Sequence, residues 1–344
     1  MTIRSYMRST SLLIALFACA MSASAQNVEL KIASVAPDGS GWMRAMRAGA
    51  QRISQATDER VVIKFYPGGV MGDDAQILRR IRIGQLHGGA FTAGGLSARY
   101  PALNLYGIPL LFRSLDEVDH IRTALDAELM RGLEEAGFVS FGFIEGGFAQ
   151  LMSNEPAQSV EDLRRRKVWI PDGDQISQMA MQAVGISPVA LPVTDVMTAL
   201  QTGLLDVVAS SPVVALVLQW HTKVRFVTDL PIAYSMGIFA IDARSFSKVS
   251  TGDQEIVRNV MTEVVTSLNA AARNDNEKAL QAMFDTGIKA VPVDANNVEE
   301  WRALVEAIYP RLSGREDVDS AMLTRVLTSL AQYRTGVSQA SLNP

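Results

Sequence analysis

Residues 161–211 read EDLRRRKVWIPDGDQISQMAMQAVGISPVALPVTDVMTALQTGLLDVVASS. Ser159, just upstream, and Asp162 make the pattern of a capping box, in which each side chain satisfies a free N–H at a helix start. Lys167, Val168, Trp169 and Ile170 then read as a strand, halted by Pro171, which has no N–H to give a ladder. Ile176, Met179, Ala180, Ala183 and Val184 follow the stripe of an amphipathic helix, and Gly185 ends it. Residues 189–191 read as a second strand, 195–202 as a helix closed by Gly203, and 205–210 as a third strand. The stretch is a β-α-β-α-β unit, the building block of an open α/β sheet.

The same plan stands earlier in the chain. Residues 30–35 read as a buried strand, and a helix starts near Ser40 with Met43, Met46, Ala50 and Ile53 at helical spacing. Residues 61–66 are β-branched and aromatic, as a strand should be. Pro67, Gly68 and Gly69 turn the chain. Asp73 and Asp74 open a second helix, Gly84 stops it, and residues 90–93 belong to a third strand. Gly84, Leu86 and Ala90 recur as Gly203, Leu205 and Ala209 at matching offsets. Two similar α/β lobes are expected. Open α/β sheets bind ligands beyond the carboxyl ends of their strands, so two facing lobes form a cleft and a hinge between them makes a clamp.

The rest of the chain connects the lobes. Residues 142–153 read as a crossover into the second lobe and 234–243 as a strand returning. Residues 253–286 form one helix with few breakers; at about 1.5 Å per residue it reaches roughly 50 Å, enough to brace both lobes. Residues 298–309 and 317–333 read as terminal helices. The expected division gives residues 26–145 with about 240–290 to lobe I, 146–239 to lobe II, 252–286 to the bracing helix and 291–344 to helices packed on the outside.

The N-terminus points to export. Arg4 and Arg8 precede a short apolar run, and Ala23, Ser24 and Ala25 offer small residues for cleavage after Ala25. Cys19, the only cysteine, lies within this segment, and the bulky Phe17 argues against a lipoprotein site there. Cleavage leaves a chain without thiols, which excludes disulfides and thiolate chemistry. Removing two arginines takes the formal charge from −4 to −6, which gives no basis for binding nucleic acid or anionic lipid. No second apolar run is long enough to insert into a membrane. His87, His120 and His221 are scattered without metal-ligand spacing. No catalytic constellation, cofactor motif or metal site is read from the sequence, so no enzyme is expected.

Three motif groups carry a family resemblance: Phe65-Tyr66-Pro67-Gly68-Gly69 with Gly72; Ser153-Asn154-Glu155-Pro156 leading to Glu161-Asp162-Leu163; and residues 196–203, VMTALQTG, with Asp206. In these the chain resembles the periplasmic solute-binding proteins of tripartite ATP-independent periplasmic (TRAP) transporters, the C4-dicarboxylate-binding DctP type. The resemblance covers nearly all of residues 28–290. It implies an α/β, two-lobed, type II-like periplasmic binding protein fold, with crossing strands and a long helix. It also implies a periplasmic receptor that closes on a small solute and hands it to integral membrane transporter subunits, with no catalysis.

The departures from the family bear on the solute. The family's K-I-R-x-P strand carries an arginine that pairs with a substrate carboxylate; here Lys167-Val168-Trp169-Ile170-Pro171 puts Trp169 in its place. The G-x-R-Q segment is Gly147-Phe148-Ala149-Gln150, with Ala149 for arginine. The asparagine of D-G-x-x-N-P falls nearest Ser210, followed by Ser211. A guanidinium fork holds a carboxylate by two charge-assisted bonds, whereas tryptophan offers one N–H and an apolar face. The expected ligand-binding set is Trp169, Phe148, Gln150, Ser210, Ser211, Trp42 and Phe91, favouring a solute that is apolar or aromatic rather than a simple C4-dicarboxylate. One alternative keeps an organic acid and takes its cation from Arg44, Arg47 or Arg99. Another is a lipid-like ligand carried for a different envelope machine.

Overall fold

The computed structural model describes residues 27–342, with side chains through residue 337. The signal-segment and Cys19 readings lie outside the described residues.

In the first lobe β1 (Val28–Ala33), β2 (Val61–Tyr66) and β3 (Gly88–Thr92) are parallel in the order β2-β1-β3. Helices α1 (Gly41–Ala56) and α2 (Asp74–Arg82) join them. Ser40 caps α1 by accepting from Met43 N–H, and Asp73 caps α2 by accepting from Gln76 N–H. Helix α3 (Leu115–Glu135) leads into β4 (Phe138–Ser153), a 16-residue strand that crosses to the second lobe. There α4 (Val160–Arg164) carries the complete Ser159–Asp162 capping box.

The second unit repeats the first. Strands β5 (Trp169–Pro171), β6 (Val189–Leu191) and β7 (Val207–Ser210) alternate with α5 (Gln175–Ala183) and α6 (Val196–Thr202). β5 pairs in parallel with β6, and Val168 bridges in parallel to Val207, so the order β6-β5-β7 matches β2-β1-β3. Pro171 was expected to halt β5 but is its last residue, opposite Leu191. The next N–H in the chain, from Asp172, reaches Leu191 O at 3.1 Å, so the missing proline donor leaves the ladder intact.

After β7 come α7 (Pro212–Val217), β8 (Phe226–Thr228), the returning strand β9 (Ala233–Asp242), α8 (Ala243–Phe246) and the 35-residue α9 (Thr251–Asp285). Strand β10 (Lys289–Val291) and helices α10 (Ala295–Glu306), α11 (Tyr309–Leu312) and α12 (Ser320–Leu342) complete the chain. β4 and β9 pair antiparallel with each other, while β3 pairs with β9 and β7 with β4. The third strand of each lobe is thus flanked by a strand that passes between lobes.

Helix α9 enters both cores. Val260, Met261 and Val264 join Met43, Met46 and Ile53 in lobe I, and a Cβ at Gly49 would lie 2.8 Å from Val264 Cγ2. Glycine there lets the two helices approach closely. Further along, Met283 packs with Leu200, Trp169 and Trp220 in lobe II. Trp301, Val305, Leu323 and Leu330 bury the terminal helices in the large core shared with α3 and α5.

Candidate functional site

The carboxyl ends of β2 in lobe I and β6 in lobe II turn toward each other across the seam between the lobes. Two equivalent turns meet across it: the turn after β2, with Gly68 and Gly69 at φ +69° and +72°, and the turn after β6, which carries Thr194. A Cβ placed on Gly69 would lie 2.8 Å from Thr194 Cγ2. The rims of the lobes are in contact, and the glycine pair supplies both the left-handed turn and the room for it.

Lobe II presents the residues singled out by the sequence. Trp169 is 6% exposed. Its indole N–H donates to Leu191 O at 2.9 Å, and its ring stands edge-on to Trp220 with centroids 5.3 Å apart. The N–H is therefore spent on joining β5 to β6, and the ring packs in the lobe II core with Met152, Leu200, Val208 and Trp220. Gln150 lies opposite Ser210 in the β4–β7 ladder, one step from the Met152–Val208 pair that packs with Trp169. Period-two alternation puts Gln150 and Ser210 on that same face. Ser210 Oγ donates to Ser211 O at 3.2 Å. Phe148 is half-buried, opposite Tyr234 in the β4–β9 register, and their rings meet edge-to-face at 5.5 Å.

Four buried side-chain polar atoms among the described residues lack a hydrogen-bond partner: Gln150 Oε1, Ser211 Oγ, Tyr234 OH and Trp301 Nε1. Gln150 and Ser211 lie where β4 and β7 meet, whereas the Tyr234 ring packs with Tyr106, Phe112 and Phe148 and its hydroxyl faces Arg122 and Glu145. Tyr234 was missed by sequence reasoning, because only the β4–β9 register sets it against Phe148. Leaving a buried donor or acceptor unmet costs about 1–3 kcal/mol, so each of these atoms calls for a physical explanation.

Lobe I contributes differently. Trp42 is partly buried at the second position of α1, and Phe91 packs inside the lobe core, 6.3 Å from the Phe138 ring. Arg44 donates to the Gly39 carbonyl, Arg47 pairs with Asp38 at 3.1 Å, and Arg99 is exposed after the 3-10 turn Gly94–Leu96. Sequence reasoning missed Asp74. Its neighbour Asp73 is the cap, and Asp74 turns instead to Thr92 at the end of β3, accepting from Thr92 Oγ1 at 2.8 Å and Thr92 N–H at 3.2 Å. Burial pushes its carboxyl up to about 6, against the lowering effect of the Thr92 bonds. Two consecutive aspartates where one suffices as a cap were the available signal.

Between the lobes, β4 shifts register against β9 between Glu145 and Gly147. The Glu145 side chain is 4% exposed and accepts from Arg273 of α9, Nε at 2.9 Å and Nη2 at 3.3 Å. Arg273 also donates to Asp119 of α3 at 3.0 Å, and Arg122 lies 3.6 Å from Glu145. Asn276 donates to Gly146 O at 3.1 Å and accepts from Val213 N–H of lobe II at 3.3 Å. The polar middle of α9 thus holds the crossover backbone and the start of α7.

The profile of the family described as "Bacterial extracellular solute-binding protein, family 7" (DctP) matches residues 32–315. The C4-dicarboxylate-binding periplasmic protein DctP of Rhodobacter capsulatus is 22% identical over 309 residues, covering 87% of this chain and 89% of that protein. Among solved structures, the sugar acid binding protein DctPAm from Advenella mimigardefordensis, in complex with galactonate, superposes with a TM-score of 0.82 at 17% identity. It covers 89% of this chain and 99% of that one. A TRAP periplasmic solute binding protein from Sulfurospirillum deleyianum with bound succinate gives 0.79 at 19% identity, covering 88% and 98%.

Proposed function

The chain belongs to bacterial extracellular solute-binding protein family 7, the DctP family, and from that premise we propose that it is the periplasmic receptor of a TRAP-type transport system. It clamps a small solute between its lobes and presents it to integral membrane subunits. The observation that supports the reading is the pair Gln150 Oε1 and Ser211 Oγ, buried without a hydrogen-bond partner where β4 meets β7 in lobe II.

The solute in this proposal is not a simple C4-dicarboxylate but one with an apolar or aromatic body. Trp169 and Ala149 stand where the resemblance leads one to expect arginines, both are nearly buried, and neither provides a cation. Phe148 and the Trp169 ring supply apolar surface, with Trp42 on the facing lobe.

Thermal-shift measurement of the mature protein against organic acids and against apolar or aromatic compounds tests this. A ligand at a hundred times its dissociation constant stabilises by about 2.7 kcal/mol, enough to move the melting point visibly. Stabilisation by apolar compounds, reduced in Trp169→Phe through the smaller ring, is the expected result. Stabilisation by succinate or malate with no response to apolar compounds refutes the solute class. If acid binding is then lost in Arg99→Ala, the cation comes from lobe I.

A further inference from the structure

Helix α7 starts without the cap that its own sequence provides. Ser211 stands at the cap position with the right backbone, φ −72° and ψ 151°, yet its hydroxyl takes no helix N–H and is buried without a partner. A serine there ordinarily accepts from the second or third helical N–H. The second is that of Val213, and it donates instead to Asn276 Oδ1 of α9 at 3.3 Å. The other end of the same amide donates at 3.1 Å to the carbonyl of Gly146, the residue that the β4–β9 register skips. These two contacts fix the orientation of the amide, since an N–H must meet Oδ1 and a carbonyl must meet Nδ2. Gly147 keeps the approach open: at φ +85°, a Cβ there would lie 2.7 Å from Asn276 Nδ2. Earlier on α9, Asn269 holds the lobe I side of the same step, donating to Phe143 O at 2.9 Å and accepting from Glu145 N–H at 2.7 Å. Of the two asparagines, Asn276 is the one that reaches past the crossover to the turn between β7 and α7.

We propose that Asn276 is the positioning residue that couples the lobe II site to the hinge, by competing with Ser211 for the Val213 N–H. When a solute engages the Ser211 hydroxyl, Val213 stays on Asn276, and the amide remains set against Gly146 and fixes the angle of the crossover. When Ser211 is free it turns to its own helix, caps Val213 as an N-cap serine does, and releases the amide. A well-aligned bond to one acceptor weakens the bond to the other, so one backbone donor links occupancy to lobe angle. The arrangement described here, with the lobe rims in contact and Ser211 uncommitted, is the one that a solute holds. The proposal rests on the receptor reading above and adds the route by which occupancy reaches the hinge.

The chain beyond residue 25 has no cysteine, so spin labels at Ile83→Cys and Leu204→Cys, exposed and one on each lobe, report lobe separation by pulsed electron double resonance. The protein is unfolded and refolded first to remove bound small molecules. Ser211→Ala removes the competitor and should raise the population at the separation of this structure, about fivefold relative to the rest. Asn276→Leu should lower that population by a similar factor, and in its presence Ser211→Ala should change nothing further. Asn269→Leu, which has no link to Val213, should leave the Ser211→Ala shift intact. Should Asn276→Leu fail to fold, Asn276→Asp replaces it: the acceptor for Val213 stays, the donor to Gly146 goes, and Ser211→Ala should again be silent. A Ser211→Ala distribution equal to that of the wild type overturns the proposal. So does an equal Ser211→Ala shift with and without Asn276, which gives that residue a structural role alone. Either result leaves the receptor reading standing, since that reading is decided by stabilisation with solutes.

Discussion

Trp169 shows how one position can carry two duties. Its N–H ties β5 to β6 and its ring packs edge-on to Trp220, so a change there alters stability before it alters binding. Trp169→Phe keeps the apolar ring and loses the bond to Leu191 O. The expected cost is about 1 kcal/mol, read from urea denaturation. Trp169→Arg, which introduces the arginine that the resemblance leads one to expect, should destabilise by more, because it sets a guanidinium among the apolar side chains of the lobe II core at 6% exposure. Asp74 makes a separate prediction. Its folded carboxyl lies at about 6 against an ordinary 3.8, chiefly through burial. The folded state therefore holds its proton more tightly than the unfolded chain does. The stability this contributes is complete below 3.8 and is lost as pH rises through about 6. Asp74→Asn should flatten the fall in melting temperature between about pH 4 and pH 6.

Among the elements, those bounded by local chemistry were legible. Ser40, Asp73 and Ser159 cap their helices as read, and Gly203 takes the left-handed conformation, φ +70°, at the end of α6. Ser159→Ala removes half of a reciprocal capping box and should cost about 1 kcal/mol in chemical denaturation. Helix α3 carries the same kind of local signal, with Ser114 as its cap and Val118, Ile121, Leu125, Leu129 and Leu133 as its buried stripe. The three-residue strands β8 and β10 are a different case. They are too short to show a period, and their pairing with each other and with β4 is decided at long range.

For the whole molecule, the two equivalent turns form a contact between the lobes. Gly69→Ala introduces a methyl group 2.8 Å from Thr194 Cγ2 at a backbone angle unfavourable to alanine. It should weaken solute binding, mainly through faster release in stopped-flow measurements. Gly69→Ala with Thr194→Ser should recover part of the loss, a coupling that two independent sites would not show. The hinge has its own dependence. Arg273→Met leaves the buried Glu145 with the more distant Arg122 and the Tyr234 hydroxyl. Unfolding free energy should fall by about 3 kcal/mol, toward the lower end for a broken buried pair. Small-angle scattering should show a broader spread of lobe separations, since α3, α9 and β4 lose their common tie.

The sequence by itself determined the repeated β-α-β-α-β plan, its caps and turns, the long helix and the absence of arginine at Trp169 and Ala149. Each follows from residue type at fixed short spacing, where backbone geometry leaves few choices. Only the tertiary structure decided that the Trp169 N–H is consumed by Leu191, that Tyr234 stands against Phe148, that Asp74 turns to Thr92 and that Gly69 meets Thr194. These pairs lie from 18 to 125 residues apart in the chain. Strand register and lobe contact bring them together, and no local period records either.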